Sequence, residues 1–436
     1  MKHSARYLTT PRRVALATAG LLCVAFALPT ANAVLRSGDP AGTASPGTAV
    51  GATSTEAPAP SAPASTTRSA SAGDGGLRGL VGGGRRANPV ATPPAATATY
   101  YVDCTAGDDG AAGTSGRPWR TPARVRRTTF AGGTSLALRR GCTWNDTLDV
   151  QGPTSPTSAG VRVGAYGTGA APVLSGAGLR VPSVVSLLGT GVSLSDVTVT
   201  DAEQYGVQLF GAGGTLHGVT VTRSGIAVRI LGAGALVDHV TATDLHMIVN
   251  TPGGQDDYGA VGYDVEADGA RIVASTCTRC RAPSADWGYD GGFVEIWNHG
   301  DDLVVSGCTA TDTEGFLEIG GDAQGSSAAH VRILDNVMNE VHGGFFVHGG
   351  DSFSLHTSDV VISGNRLTNR LPASNGVLAG DLQSVEIINN VIIAAQPFAF
   401  SVPAAHSGNT YYLPGASSLG FPLGAAEVVR LLAQAP

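Results

Sequence analysis

Three short segments with nearly the same sequence decide the fold of this chain: GFVEIW (292–297), GFLEIG (315–320) and GFFVHG (344–349). Side chains alternate between the two faces of a β-strand. In the first two segments the apolar side chains therefore point to one face, and Glu295 and Glu318 point to the other. If the segments are neighbouring strands, the two carboxylates lie about 4.8 Å apart.

The position of Glu295 can be followed through the other apolar segments of the chain. Aligning their alternating residues predicts an outward-facing column made of Gln208, Arg229, Asp264, Glu295, Glu318 and Val347. Two positions further along each strand, the same alignment gives Phe210, Leu231, Glu266, Trp297, Gly320 and Gly349. We call Asp264, Glu295 and Glu318 the acidic column.

A unit of about 22 residues recurs from residue 192 onward, which indicates a solenoid. Its turn position aligns as Asp196, Gly218, His239, Cys277, Cys308, Asn336, Asn365 and Asn390. The three asparagines predict a ladder of side-chain amides inside the turn, and His239 is interpreted as a filler of the same column. Thr, Val and Gly dominate and long 3.6-residue periods are missing, so we expect an all-β fold.

The chain divides into three parts by composition. Residues 1–33 resemble an export signal, with a basic start, an apolar run at 14–28 and the small-residue cleavage site Ala31-Asn32-Ala33. Residues 34–98 are rich in Ala, Pro, Ser, Thr and Gly, which predicts a disordered linker. Residues 99–436 form the folded domain. We therefore expect a secreted, extracellular protein, or one associated with the cell wall.

Charge and composition exclude several functions. Removing residues 1–33 takes away four of the 27 Lys and Arg and none of the 34 Asp and Glu, which leaves a net charge of −11. An acidic protein argues against nucleic acid as a partner. Lys2 is the only lysine, so a lysine base is excluded. No later apolar run is long enough to span a membrane, and we expect a monomer.

Two groups of motifs carry a resemblance to a known family. The stretches YYVDC (100–104) and GDDG (107–110), with GAYG (164–167) and PVLSG (172–176), resemble secreted bacterial right-handed parallel β-helix proteins of the pectate-lyase-like group. The resemblance covers residues 100 to about 406. It implies a single-stranded right-handed parallel β-helix with terminal caps. The group includes lyases, hydrolases, epimerases and adhesins, so the resemblance leaves the activity open.

An open solenoid end is a bare sheet edge and needs a cap. Residues 122–127 predict a short capping helix at the first end. At the other end, residues 425–434 have helical spacing.

Five cysteines follow the export signal: Cys104, Cys142, Cys277, Cys280 and Cys308. An oxidising compartment favours disulfides. We expect Cys104 to pair with Cys142, and Cys277 to pair with Cys308 across two coils, which leaves Cys280 as the odd thiol. The alternative is that Cys277 and Cys308 stack as reduced ladder members. A zinc site at Cys277 and Cys280 would lack further ligands at zinc spacing.

The longest insertions, residues 250–261 and 280–291, precede the strands that carry Asp264 and Glu295. Binding residues concentrate on loops of a rigid scaffold. We therefore expect these insertions to wall a groove above the acidic column, with Trp297 and His299 at its edge. The predicted substrate-binding residues are Asp256, Asp257, Tyr258, Trp287, Tyr289, Asp290 and Trp297, with Gln255 and Asp286 nearby.

Carboxylates beside aromatic rings suit sugars, because the rings stack on pyranose faces and the acids bond hydroxyl groups. Carboxyl groups two strands apart are separated by about 9.6 Å, close to the separation in inverting glycosidases. The first hypothesis is a polysaccharide-acting glycoside hydrolase with Glu295, Glu318 and Asp264 as acid and base. His299 is a candidate proton carrier.

Two other functions remain open. Asp264, Glu295 and Glu318 could hold calcium, and the resemblance then implies a calcium-assisted polysaccharide lyase with Arg229 as the base. The second alternative is a non-catalytic adhesin that binds glycans or the cell wall. In a purely structural interpretation the acids serve solubility and Arg229 pairs with Asp264.

Overall fold

The computed structural model describes residues 98–436, except 255, 322–324, 348–354, 372–377, 381–383 and 401–403. The predicted export signal and nearly all of the predicted linker lie outside the described residues. So do Gln255, His348 and Gly349. Among the residues that are described, no helix is long and apolar enough to cross a membrane.

The chain winds into a solenoid in which each central coil contributes one strand to each of three parallel faces. One coil contains Ser193–Ser195, Thr198–Thr200 and Tyr205–Leu209, and the next coil begins at Thr215–His217. Equivalent strands of successive coils pair in parallel and in register. The protein is therefore a right-handed parallel β-helix, as predicted.

Face A, as far as the structure describes it, is a 12-stranded sheet. Its strands are Thr99–Val102, Ser135–Arg139, Arg162–Tyr166, Ser193–Ser195, Thr215–His217, Leu236–Asp238, Arg271–Val273, Val304–Ser306, Arg332–Leu334, Val360–Ser363, Val385–Ile388 and Ala405–Ser407.

In the central coils, strands of faces B and C follow each strand of face A. Two long strands, Thr309–Gly320 and Val337–Val347, run through both of these faces. The other strands of face B are Thr143–Trp144, Val173–Ser175, Thr198–Thr200, Thr220–Thr222, Thr241–Thr243, Thr276–Thr278, Arg366–Asn369, Val391–Ala394, Thr410–Leu413 and Val428–Leu431. Those of face C are Leu148–Val150, Ser183–Leu187, Tyr205–Leu209, Ile226–Ile230, Val261–Val265, Gly292–Trp297 and Leu378–Gly380.

Three further strand pairs lie outside the faces. Met247–Val249 pairs antiparallel with Tyr258–Gly259, and Ala282–Ser284 pairs antiparallel with Gly288–Asp290. Ser326–Ala329 pairs in parallel with Leu355–Ser358. The first two pairs are the hairpins of the long insertions between faces B and C.

The sequence alignment placed several different positions of the turn between faces A and B in a single column. Asp196 and His239 have positive φ values of 56° and 53°, and the side chain of His239 is exposed. The inward column is one residue later and contains Ser275, Cys308 and Asn336, linked through hydrogen bonds. The interpretation of His239 as a ladder filler is therefore wrong.

Buried asparagines form the predicted ladder. The Nδ2 groups of Asn336, Asn365 and Asn390 each donate to the Oδ1 of the next asparagine, at 2.9, 3.0 and 3.1 Å. Asn409 is a fourth member, and its Nδ2 donates to Glu427 Oε1 at 2.6 Å. The carboxylate of Glu427 thus ends the ladder.

The cysteine pairing agrees with the prediction in part. Cys104 and Cys142 form the predicted disulfide, but Cys277 bonds to Cys280, and Cys308 is a buried free thiol. The prediction of a Cys277–Cys308 bridge is wrong because Cys277 is opposite Ala310 in the register, two residues beyond Cys308. Burial raises the pKa of the Cys308 thiol to about 11.

The two ends are capped differently. The predicted N-terminal helix is present at Pro122–Arg126, with Val125 buried against the first coil. The C-terminal residues are not an α-helix: Val428–Leu431 is a strand paired with Thr410–Leu413, followed by the 3₁₀ turn Leu432–Gln434. Pairing with the last coil prevails over helical spacing because it satisfies the exposed sheet edge.

Candidate functional site

The three carboxylates of the acidic column lie on adjacent strands of face C. Asp264 is directly opposite Glu295, and Glu295 is directly opposite Glu318. Upstream, Arg229 is opposite Asp264, and Gln208 is opposite Arg229. Five consecutive positions of the outward column therefore follow the alignment made from the sequence.

The column departs from the sequence alignment beyond Glu318. Its partner on the next strand is Phe346, because the register between the two long strands shifts at Thr313–Leu317. The predicted member, Val347, is fully buried and pairs with Ile319. A partly exposed aromatic ring therefore lies beside Glu318.

A rigid core lies beneath the acidic column. Val294 and Ile296 flank Glu295 in its strand and are almost completely buried. Beneath the same strands, the buried Phe293 ring stacks on Phe316 with centroids 4.7 Å apart and contacts Tyr263 at 5.1 Å. The carboxylates are therefore on the outer side of the sheet, on a backbone that packing holds in place.

Exposure increases along the acidic column. Asp264 is 1% exposed and Glu295 is 6% exposed, whereas Glu318 is partly exposed. All three carboxylates lie on the outer side of the sheet, as the alignment predicted, but only Glu318 is partly exposed there, and its Oε1 atom is buried. A bound molecule would reach the column first at Glu318.

Arg229 closes the upstream end of the acidic column. Its guanidinium lies 3.4 Å from Asp264 Oδ2 and 2.7 Å from Glu266 Oε1. It also lies over the ring of Tyr205, 4.8 Å from the centroid. Because Arg229 already supplies a positive charge beside Asp264, the residues fit calcium less well than the sequence suggested.

The two long insertions are joined to each other through Asp257. This fully buried carboxylate accepts hydrogen bonds from Thr251 N, Ser284 Oγ and Asp286 N at 2.6, 2.7 and 3.0 Å. Burial alone would raise the pKa of Asp257, but these hydrogen bonds outweigh it and hold the pKa below its usual value. Asp257 therefore positions the insertions instead of facing a ligand.

The other residues predicted to bind substrate have mixed environments. Tyr289 is 47% exposed, and the Arg281 guanidinium lies 3.8 Å from its ring centroid. Asp290 is buried and accepts a hydrogen bond from Gly291 N. Asp256, Tyr258 and Trp287 are partly exposed. The insertions thus offer Tyr289 as their most accessible aromatic ring.

Trp297 and His299 differ from each other in exposure. Trp297 is 4% exposed and lies against Gly320, where an added Cβ would be 2.7 Å from the indole. The expectation that Trp297 stacks on a ligand at the groove edge is therefore not supported by its packing. His299 is exposed beyond the end of the strand and forms a β-bridge with Ser327.

Four residues at the site were missed in the analysis of the sequence: Tyr205, Arg281, Glu314 and Phe346. The guanidinium of Arg281 lies 2.9 Å from Glu314 Oε2 and supports the ring of Tyr289. The Gly343-Gly344 pair before Phe346 is the signal that could have revealed the register shift, because glycines often mark strand irregularities.

No family model matches the chain, and no curated protein matches its sequence. Among solved structures, the chain is similar to XylC in complex with xylose, at 9% identity and a TM-score of 0.52, over 76% of this chain and 86% of that one.

Two further solved structures resemble the chain. They are a GH136 lacto-N-biosidase from Eubacterium ramulus, at 12% identity and a TM-score of 0.44, over 77% of this chain and 68% of that one, and a rhamnogalacturonan lyase, at 16% identity and a TM-score of 0.44, over 76% of this chain and 86% of that one. At such identities the comparisons concern the fold alone.

Proposed function

We propose that this protein is a carbohydrate-active enzyme that hydrolyses a glycosidic bond in a polysaccharide. The observation that supports the proposal most strongly is the direct pairing of Glu295 with Glu318 on the outer side of face C. Phe346 lies beside Glu318 on the next strand and can stack on the apolar face of a sugar ring. A pair of carboxyl groups is what most glycoside hydrolases use to cleave a glycosidic bond.

The spacing of the carboxylates favours one pair and one stereochemical outcome. Carboxyl groups on adjacent strands are separated by about 4.8 Å, close to the roughly 5–5.5 Å of retaining glycosidases. Asp264 and Glu318 are two strands apart, at about 9.6 Å, which is the upper limit for inverting enzymes. Asp264 is also buried and ion-paired with Arg229. We therefore assign the chemistry to Glu295 and Glu318.

Each carboxylate has a separate role in this mechanism. Glu318, which is the more exposed, approaches the anomeric carbon as the nucleophile, while Glu295 protonates the leaving oxygen. Glu295 then takes a proton from the water that hydrolyses the glycosyl–enzyme intermediate. Asp264 and Arg229 form an ion pair at the upstream end of the site and take no part in proton transfer in this mechanism.

The lyase alternative has less support. A general base must accept a proton from the substrate, but the Arg229 guanidinium has no acceptor atom and is already engaged in ion pairs with Asp264 and Glu266. The adhesin alternative predicts that the protein binds a glycan without cleaving it, which distinguishes it from both enzymes.

Product analysis on a panel of polysaccharides tests the proposed reaction. A retaining hydrolase releases new reducing ends with the original anomeric configuration, which NMR follows directly. Products that absorb in the ultraviolet through a new double bond would identify a lyase. Glycan binding with no product at all would identify an adhesin.

Substitution tests the assigned carboxylates. Glu318→Gln and Glu295→Gln should each lower kcat by at least about 10²-fold, because each removes a proton-transfer or nucleophilic group. Melting temperature should change little, since glutamine keeps the side-chain shape. Glu386→Gln, an exposed glutamate on face A, is the matched control and should remain fully active. Full activity of Glu318→Gln would refute the assignment.

We further propose that the protein acts outside the cell, with residues 34–98 as a spacer behind the β-helix. The export-signal pattern of residues 1–33 supports this. Amino-terminal sequencing of protein recovered from the culture medium should begin at Val34. Retention of the intact chain inside the cell would contradict the proposal.

A further inference from the structure

Two histidines and one aspartate meet at the corner between faces A and B, away from the acidic column on face C. His217 ends one strand of face A, Asp238 is directly opposite it on the next strand, and His239 follows Asp238 in the turn. The Nδ1 of His217 lies 2.9 Å from Asp238 Oδ2, and the Nδ1 of His239 lies 2.5 Å from Asp238 Oδ1. Each imidazole therefore contacts its own oxygen of a single carboxylate.

The surroundings leave this cluster accessible. The side chains of His217 and His239 are 56% and 63% exposed, and that of Asp238 is 26% exposed. The residues in register on either side are Ser195 and Val273, which carry no charge. No neighbouring cation in this register column therefore repels a bound metal ion.

In the part of the chain that the structure describes, the other groups of potential metal-ligating side chains are already engaged in a disulfide or in hydrogen bonds that hold loops. Asp103, Cys104 and Cys142 come together around a disulfide. Asp256, Asp257 and Asp286 come together at the insertions. Asp256 and Asp257 accept hydrogen bonds from Thr251, and Asp286 accepts one from Gly253 N, and these bonds hold the loops. The histidine cluster differs because the hydrogen bonds of its side chains lie within the cluster, between each histidine and Asp238.

We propose that His217, Asp238 and His239 form a binding site for a divalent transition-metal ion, of which Zn²⁺ fits best. Two imidazole nitrogens and one carboxylate oxygen are ligands that zinc accepts in three-ligand sites with an open fourth position. The three ligand atoms lie within 4.8 Å of one another. Tetrahedral coordination requires separations of about 3.3 Å, which exposed side chains reach through small rotations.

The metal would cross-link two coils. His217 belongs to the coil whose face C strand carries Arg229, and Asp238 and His239 belong to the coil whose face C strand carries Asp264. A bound ion would therefore hold together, from another corner, the two coils at the upstream end of the acidic column. The open coordination position would take water. This role does not depend on the proposed hydrolase activity.

Titration of metal-free protein, residues 34–436, with ZnCl₂ in a calorimeter tests the site. We expect binding of one equivalent to the wild-type chain, with affinity lowered at least about ten-fold in His217→Ala and in His239→Ala, because each loses a ligand. His330→Ala is the matched control, since the His330 side chain lies beside Asp302, at 3.2 Å, and is not part of the cluster, so this variant should bind as the wild type does. Absence of binding, or equal affinity in all four proteins, would overturn the proposal.

Thermal unfolding gives a second readout. ZnCl₂ should raise the Tm of the wild-type protein, since a ligand that binds only the folded chain stabilises it, and should leave the Tm of Asp238→Asn unchanged. If Asp238→Asn does not fold, as circular dichroism will show, His217→Gln replaces it. Co²⁺ adds a spectroscopic test: visible absorption bands of bound cobalt should appear in the wild type and be lost in His217→Ala. A zinc-induced rise in Tm that persists in these variants would place the ion elsewhere and refute the site.

Discussion

Single residues at face C depend on the space that their neighbours leave. Trp297 is outward-facing yet 4% exposed, because Gly320 on the adjacent strand has no side chain. The indole fills that space and covers the end of the strand that carries Glu295. A residue that would suit sugar stacking by type is therefore a packing residue here, while Phe346 has the partly exposed position beside Glu318.

Gly320→Ala tests this packing. The added Cβ would lie 2.7 Å from the Trp297 ring, so the indole must move, and we expect a loss of about 1–3 kcal/mol in the free energy of unfolding. Urea unfolding monitored by tryptophan fluorescence measures the change. Gly116→Ala is the control, because nothing lies within 4 Å of its added Cβ. Equal stability of the two variants would show that Trp297 is not confined by Gly320.

At the scale of elements, the strands could be predicted from the sequence, but the register between neighbouring strands could not be predicted where a strand is irregular. Alternation around Glu295 and Glu318 predicted the pairing that the structure has. The position of Phe346 was missed because alternation alone does not encode a register shift, although the Gly343-Gly344 pair marks the irregularity. The cysteine pairing failed for a similar reason, since the insertions conceal an offset of two residues between Cys277 and Cys308.

The asparagine ladder supports a further prediction. Asn365 Oδ1 accepts hydrogen bonds from Asn336 N and Nδ2, and its own Nδ2 donates to Ile333 O. Asn365→Ala would leave several buried polar groups unsatisfied, at about 1–3 kcal/mol each, so we expect a loss of at least about 3 kcal/mol. Chemical denaturation measures it.

Ser363→Ala is the control for this substitution, because Ser363 is on the outer side of the neighbouring strand and partly exposed. Its effect should stay within about 0.5 kcal/mol. A comparable loss in both variants would mean that the ladder adds no specific stability.

For the whole molecule, carboxylates secure both ends of the solenoid. Near the first strand, Asp103 contacts Ala106 N, Arg139 and Thr105. In the last coil, Glu427 accepts hydrogen bonds from Gly424 N and the side chains of Asn409 and Tyr411. Burial by itself would raise the pKa of each group, but these contacts outweigh it and hold both pKa values below their usual range.

The protein should therefore lose stability in acid. A carboxylate whose pKa is lower in the folded state stabilises the fold above its unfolded pKa, and that contribution is lost as the pH falls through the folded pKa. We expect the free energy of unfolding to decrease as the pH is lowered below about 4.5, the ordinary pKa of a glutamate.

Urea unfolding at a series of pH values measures this fall, and Glu427→Gln should make it shallower. Glutamine can still accept the hydrogen bonds of Asn409 and Tyr411 through one oxygen. Its amide nitrogen replaces the oxygen that Gly424 N and His406 contact, so the variant removes the titration and retains half of the contacts. The same pH dependence in both proteins would contradict this role for Glu427.

The long insertions leave the coils that they interrupt in line. Asp264 and Glu295 are directly opposite each other although the hairpin of residues 282–290 separates them along the chain. The outer loops can accordingly be exchanged or redesigned as interchangeable modules without moving the carboxylates. A library of variants that changes only the exposed hairpin tips, and keeps Asp257 and its hydrogen-bond partners, would sample new ligand preferences while the acidic column stays the same.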